Sequence, residues 1–425
     1  MEPTITAEGS GYRVEWPNLG VKAQIRYIRA RADGFKAQVS IYHHDTPVHR
    51  SMPTLSSVSG MDQLARKLNK RVPETDFNIN WEQVVEDLAG ITIDTYREGT
   101  AEVSLADVTE DDTLTWRIEN LLVEGHPTLL WADGGTGKSM FAAFLATLVQ
   151  EGHVDTKHGL VIEPGNVLYL DWETDKYEIA SRTRKIHTGL GIQRPSRIIY
   201  RYMGQPLLED ADRIRDIVHK HNIDMVVYDS MGLAIAGELE SAEDVLAFFR
   251  SIRIIDKTAL IISHSNRQGT IFGSAYSMNS ARSVWEAKKS GANAGGIDFA
   301  LFHRKANNVS QQSAQVWTVE FRPDEILYTR GDVYMTEAAG DLSYSDLVYR
   351  ILQADGPKTK EYLADRIADM KSESNMDRVK RNVATAISKY KQRATVTEAA
   401  DGNLALASKK NPEGDEDNPE GKWTL

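Results

Sequence analysis

Hydrophobic and polar positions divide the chain into three regimes. Over residues 1–100 apolar and polar residues alternate in short runs, at 12–16, 21–29 and 36–42. That period of two predicts half-buried strands, and Asp33-Gly34 predicts a turn between them. Helical spacing follows at 61–70 and 81–88, so this region reads as a small α+β domain. From 105 to 335 continuous apolar runs alternate with longer amphipathic stretches. Residues 127–131, 166–171, 224–229 and 259–264 read as buried strands, and 299–302 with 316–321 extend the sheet. Residues 140–149, 210–221 and 242–255 read as helices. Strand and helix in alternation predict a mainly parallel, twisted sheet with crossover helices.

From 341 the pattern changes again. Helices are predicted at 344–353, 359–370 and 376–390, with Gly356-Pro357 breaking the first from the second. Two short apolar runs, 395–398 and 404–407, flank Asp401-Gly402, a hairpin signal. Three helices and a hairpin predict a winged helix over 341–408. Its third helix carries Arg378, Lys380, Arg381 and Lys389, the charges a DNA-reading helix needs. The same fold also serves as a protein-docking module. Residues 409–425 are acidic with Pro and Gly, and predict disorder.

Composition narrows the classes. The 425 residues suffice for two or three domains. There is no cysteine, which excludes disulfides, thiolate zinc sites and cysteine nucleophiles. No apolar run reaches the roughly 18 residues of a membrane span. The opening Met1-Glu2-Pro3-Thr4 lacks a charged and apolar leader, so a cytoplasmic location is expected. The net charge of −11 argues against a protein that coats nucleic acid over its whole surface, yet leaves room for a local basic channel. His43, His44 and His49 do not have convincing metal-ligand spacing and read as surface histidines.

The chemistry concentrates in Ala132-Asp133-Gly134-Gly135-Thr136-Gly137-Lys138-Ser139, between a predicted strand and a predicted helix. Strand, glycine-rich loop, Lys-Ser and helix make a phosphate-binding loop. Gly134, Gly135, Thr136 and Gly137 would turn backbone N–H groups toward phosphates, and the helix N-terminus adds positive potential. Lys138 would reach the β- and γ-phosphates of ATP, and Ser139 would ligate Mg²⁺. Asp229 ends an apolar strand and is a second candidate for Mg²⁺. Glu173, just past the strand at 166–171, is a candidate to polarise the attacking water, with Asp171 as its competitor. His264 is a candidate γ-phosphate sensor, and Arg282 a candidate arginine finger.

The set "ADGGTGKSM", "VLYLDWETD", "MVVYDS", "IISHSNR", "GSAYSMNSARSVW" and "RKANN" resembles the RecA-like ATPases of the RepA hexameric helicase group, which serve plasmid and phage replication. The resemblance spans about residues 115–325. It implies an α/β RecA-like P-loop core and nucleotide and Mg²⁺ on Lys138, Ser139 and Asp229. It further implies Glu173 as catalytic base, His264 as sensor and Arg282 as the finger. Lys305 heads the late "KAN" motif and is placed with the nucleotide-binding residues near a subunit boundary. The implied partners are a homo-oligomer, a hexamer by analogy, and single-stranded DNA in the ring; the N-terminal domain and the winged helix lie outside the resemblance, and duplex DNA at the winged helix is expected from its cationic third helix. Two departures are visible. Ala132 replaces the first glycine, and the loop from Arg267 to Gly273, which lines the DNA channel in many relatives, is short. The expected activity is therefore ATP hydrolysis by a ring-forming motor coupled to DNA translocation or unwinding. The alternatives are a RecA-like recombinase or recombination mediator, and an ATP-switched DNA-binding regulator.

Overall fold

The structure is a computed structural model that describes residues 3–8, 11–31, 34–73, 78–99, 102–107, 115–152, 159–266, 271, 273, 275–291, 295–307, 310–331 and 333–407. The tail expected over 409–425 and Arg267 of the short loop lie outside them. Two compact units emerge. One comprises Met1–Ala287, His303–Gln312 and Phe321–Leu327; the other comprises Lys288–Phe302, Ser313–Glu320 and Tyr328–Leu425. Among the described residues no helix is long and apolar enough to cross a membrane.

The first unit opens with an antiparallel meander of five strands: β1 (Thr4–Glu8), β2 (Gly11–Trp16), β3 (Val21–Arg31), β4 (Gly34–His43) and β5 (Thr46–Ser51). Alternation along β4 sends Phe35, Ala37, Val39 and Ile41 inward. Helices α1 (Val58–Arg71) and α2 (Trp81–Glu98) cover that face with Leu64, Leu68, Trp81, Val85 and Leu88. Helix α2 runs ten residues past the predicted end at 88. The β-branched run Ile91-Thr92-Ile93 masks its helical period, yet Thr92 is buried on the same face as Leu88. On the other side of this sheet Arg26 pairs with Asp216 at 3.7 Å.

After the short strands β6 (Trp116–Ile118) and β7 (Leu122–Val123) comes the parallel sheet. Its strands in chain order are β8 (Pro127–Ala132), β9 (Asn166–Asp171), β10 (Ile199–Tyr202), β11 (Ile223–Asp229), β12 (Thr258–His264) and β13 (Ser283–Gly291). Their spatial order is β10-β9-β11-β12-β8-β13, with β8 flanked on both sides. Helices α3 (Lys138–Glu151), α4 (Lys176–Gly189), α5 (Leu207–His221), α6 (Met231–Ala234), α7 (Ala242–Ile255) and α8 (Tyr276–Ser280) make the connections. The central strands are buried on both faces, as crossover helices on a parallel sheet require. One core joins Leu129, Leu168, Val226, Tyr228, Phe248 and Ile261.

The second unit contains most of β14 (Gly296–Ala306) and β15 (Gln315–Phe321), antiparallel with Gly296 opposite Glu320, and part of β16 (Ile326–Gly331). Three helices follow: α9 (Tyr344–Asp355), α10 (Lys360–Lys371) and α11 (Met376–Gln392). Ser343, Thr359 and Asn375 cap them, each accepting from a backbone N–H three residues on. The hairpin β17 (Val396–Glu398) and β18 (Leu404–Leu406) pairs Val396 with Leu406, and Leu404 also bridges Lys358. Leu347, Ile351, Leu363, Ile367, Val383, Ile387 and Leu404 share one core in this unit.

Candidate active site

The site lies at the C-terminal ends of β8, β9, β11 and β12. Gly135 and Gly137 have φ of 68° and 91°, a region that strains a side-chain-bearing residue, so the loop needs glycine at both positions. Gly137 caps α3 without a side-chain hydrogen bond. The first N–H groups of the helix therefore open toward the loop, as an anion site requires. Lys138 is buried, and its ammonium donates to the carbonyls of Ala132 and Asp133, each at 2.9 Å. Burial pushes its pKa down, while Glu173, Asp229 and Asp133 oppose the shift. Thr136 hydroxyl donates to the Asp133 carbonyl at 2.8 Å and tightens the loop.

Strand register brings three acidic positions together. Asp229 on β11 lies beside Asp171 on β9, and Glu173 follows two residues on. Ser139 Oγ donates to Asp229 Oδ1 at 3.1 Å, and Tyr169 OH donates to Oδ2 at 2.6 Å. Burial pushes the Asp229 pKa up, and these two donors pull it back. A hydroxyl and a carboxylate in contact are hard oxygen ligands of the kind Mg²⁺ accepts, with water and phosphate completing the shell. Among the described residues no cluster of three or more His, Asp or Glu could hold a metal by itself. The donor set thus suits a metal shared with a nucleotide.

Asp171 and Glu173 differ in what surrounds them. Asp171 is 1% exposed, and its Oδ1 accepts from the N–H groups of Glu173 and Thr174 at 2.9 and 3.0 Å. Its Oδ2 accepts from Thr174 Oγ1 at 2.6 Å and Tyr200 OH at 3.1 Å. Four donors commit this carboxylate to shaping the turn after β9. Glu173 is exposed and is presented by that turn. His264 Nε2 lies 3.2 Å from its Oε1, and Ser230 Oγ donates to the same oxygen. The His264 contact, with help from Ser230 and Lys138, outweighs burial and holds the Glu173 pKa at about 2. Ser265, next after His264, donates to Asp133 of the P-loop, and its N–H meets the Ala132 carbonyl at 3.1 Å.

Arg282 is not in this cluster. Ser283 pairs with Thr128, whereas Ala132 pairs with His264 and Ala287. Arg282 and the P-loop therefore sit at opposite ends of β8, roughly 17 Å apart at ~3.3 Å per residue. Its N–H donates to the Pro127 carbonyl at 2.8 Å, and its carbonyl accepts from Asn307 at 3.0 Å. Lys305, expected on the nucleotide, lies with Arg282 instead. Its ammonium donates to the carbonyls of Met278, Asn279 and Ala281 at 2.8, 2.9 and 2.7 Å. All three protons are used, so in this protomer Lys305 braces the turn that carries Arg282 and does not reach the P-loop.

Residues 94–270 match the family model described as an AAA domain. This segment is a P-loop ATPase domain. The match covers less than half of the 425 residues. Among solved structures, one match is the KaiC-like protein from the hyperthermophilic archaeon Pyrococcus horikoshii OT3. It is 18% identical, with 50% of this chain and 93% of that chain covered and a TM-score of 0.38. No curated protein matches the sequence.

Four site residues lie within the quoted motifs without a role there: Asp133, Tyr169, Ser230 and Ser265. Ser230 directly follows Asp229, and Ser265 directly follows His264, so their place beside a candidate residue is the available signal. Tyr169 alternates with Leu168 and Leu170 in an apolar strand, where nothing separates it from core.

Proposed function

We propose that the protein hydrolyses ATP at subunit interfaces and couples hydrolysis to movement along, or unwinding of, DNA in replication. The observation that carries the interfacial part is the separation of Arg282 from the P-loop of its own chain. Lys138 and the loop N–H groups bind the phosphates; Ser139 with Asp229 would hold Mg²⁺, which when bound would supply charge withdrawal from the phosphate oxygens. Glu173 orients a water and accepts its proton as the oxygen attacks the γ-phosphorus. The bond to the bridging oxygen breaks, and ADP carries away the electron pair. Arg282 of a neighbouring copy then meets the charge that builds on the γ-phosphoryl group. His264, bonded to Glu173 in this state, senses the γ-phosphate by exchanging that carboxylate for a phosphate oxygen.

The C-terminal helices and hairpin are read as a winged helix that contacts DNA. Helix α11 exposes Lys380, Arg381 and Lys389, whereas Arg378 is paired with Glu373 and Lys391 with Glu398. This separate cationic helix also favours a second reading, an ATP-switched regulator in which the winged helix reads DNA and the core keeps time. Unwinding of a forked duplex distinguishes the two, and electron micrographs distinguish rings from recombinase-like filaments.

The direct test is ATPase activity with and without single-stranded DNA, alongside the mass of the assembly. Stimulation by DNA in a multimer of ring size is expected. A monomer whose turnover ignores DNA would contradict the proposal.

A further inference from the structure

The cavity beside Arg282 holds more cations than a single finger uses. It encloses about 450 Å³ at the end of the sheet opposite the P-loop, and its lining includes His126, Arg253, Asp256, Lys257, Arg282 and Asn307. Arg253 comes from the last turn of α7, Lys257 from the residues just past it, and Arg282 from the turn after α8. Two segments distant in sequence, the end of α7 with Lys257 and the turn after α8, thus deliver three cations to one space. Among the described residues no hydrogen bond or ion pair engages the side chains of Arg253, Lys257 or Arg282. Asp256 is the one carboxylate in the lining. Burial and the charge of Arg282 hold His126 below the usual imidazole range, so at neutral pH it is a neutral hydrogen-bonding wall.

Three cations against one carboxylate leave an uncompensated positive field that a multiply charged anion would relieve. Guanidinium groups match phosphate oxygens in pairs, and a lysine ammonium adds a point charge. A nucleic-acid backbone asks for a stripe of cations along a groove, whereas these converge on one open cleft of limited volume. The opposite end of the sheet gathers carboxylates instead, with Asp133, Asp171, Glu173 and Asp229 at the strand ends beside the P-loop. Copies joined head to tail would bring the two ends together.

We infer that this cavity receives the terminal phosphates of ATP held on the P-loop of a second copy of the chain, and that Arg253 and Lys257 contact those phosphates beside Arg282. The inference rests on the reading that Arg282 acts in trans, and extends it from one finger to a cradle of three cations. Lys305 fixes one wall of the cradle by holding the carbonyls of Met278, Asn279 and Ala281.

The experiment uses the full chain carrying Arg253→Ala and Lys257→Ala together. Its turnover should fall on the order of tenfold to a hundredfold, less than the loss expected for a finger itself. Mixing it with Lys138→Ala subunits, which keep the cavity but lose the P-loop, should restore part of that turnover. Restoration also shows that the double variant folds and assembles. Wild-type turnover by the double variant would overturn the inference and leave the Arg282 reading intact. So would a loss that mixing does not repair, if Arg282→Ala is repaired in parallel. A variant that keeps its DNA-free turnover but loses affinity for single-stranded DNA would assign the cavity to a nucleic-acid backbone instead. If Arg282→Ala is not repaired by mixing either, the reading in trans fails and the inference falls with it.

Discussion

His264 Nε2 and Glu173 Oε1 lie 3.2 Å apart, so the candidate base and the candidate sensor are one hydrogen-bonded unit in this state. The contact holds the Glu173 carboxyl at about 2, against an ordinary value of 4.5. A depressed carboxylate adds stability that is present above the unfolded value and is lost as the pH falls through the folded one. For Glu173 that window runs from about 4.5 down to about 2. His264→Ala should lift the Glu173 pKa back toward the ordinary range. The acid limb of the ATPase pH profile should then move to higher pH than in the wild type. An unmoved limb would mean that His264 does not set the ionisation of Glu173.

Glu173 and Asp171 should fail in different ways. Glu173→Gln should bind ATP with near wild-type affinity, and its turnover should drop at least about a hundredfold. Asp171→Asn places an amide where Thr174 and Tyr200 already donate, and should cost about 1–3 kcal/mol of stability. Nucleotide binding and thermal unfolding, measured on both variants, separate the roles. An Asp171→Asn protein of wild-type stability with no turnover would transfer the base to Asp171.

Helix α11 makes a quantitative claim about salt. Lys380→Ala with Arg381→Ala removes two exposed cations from its surface. If each meets one phosphate, the slope of log affinity against log salt should shrink by roughly 2. Titration of duplex DNA at several salt concentrations checks this. An unchanged slope would make the C-terminal unit a protein-docking module.

The parts of this fold that show in the amino-acid sequence are those with unmixed burial. Strands β8, β9, β11 and β12 are buried on both faces and appear as apolar runs. Their C-terminal residues therefore marked Ala132, Asp171, Asp229 and His264 in advance. Strand β13 was not evident, because Glu286, Lys288 and Lys289 break its hydrophobic run. Glu286 is tolerated there through its pairing with Arg304. Strand β10 is four residues at the sheet edge, rich in Tyr and Arg, and carries no apolar run at all. Helix α4 hides in the same way behind its charges. The site followed the same rule. Residue types that chemistry demands, Lys138, Ser139, Asp229 and Glu173, were legible from spacing. The different surroundings of Asp171 and Glu173 show only in the hydrogen bonds of the turn after β9. The place of Lys305 needed the tertiary fold, since no local pattern reveals which carbonyls an ammonium will meet.

We propose that Arg282 completes a neighbour's active site. Complementation tests it most directly: Arg282→Ala subunits keep a working P-loop, and Lys138→Ala subunits keep a working finger. Each alone should be inactive, with Lys138→Ala also failing to bind nucleotide, and a mixture should regain a fraction of wild-type ATPase. A mixture no more active than its parts, in assemblies shown to contain both subunits, would contradict it.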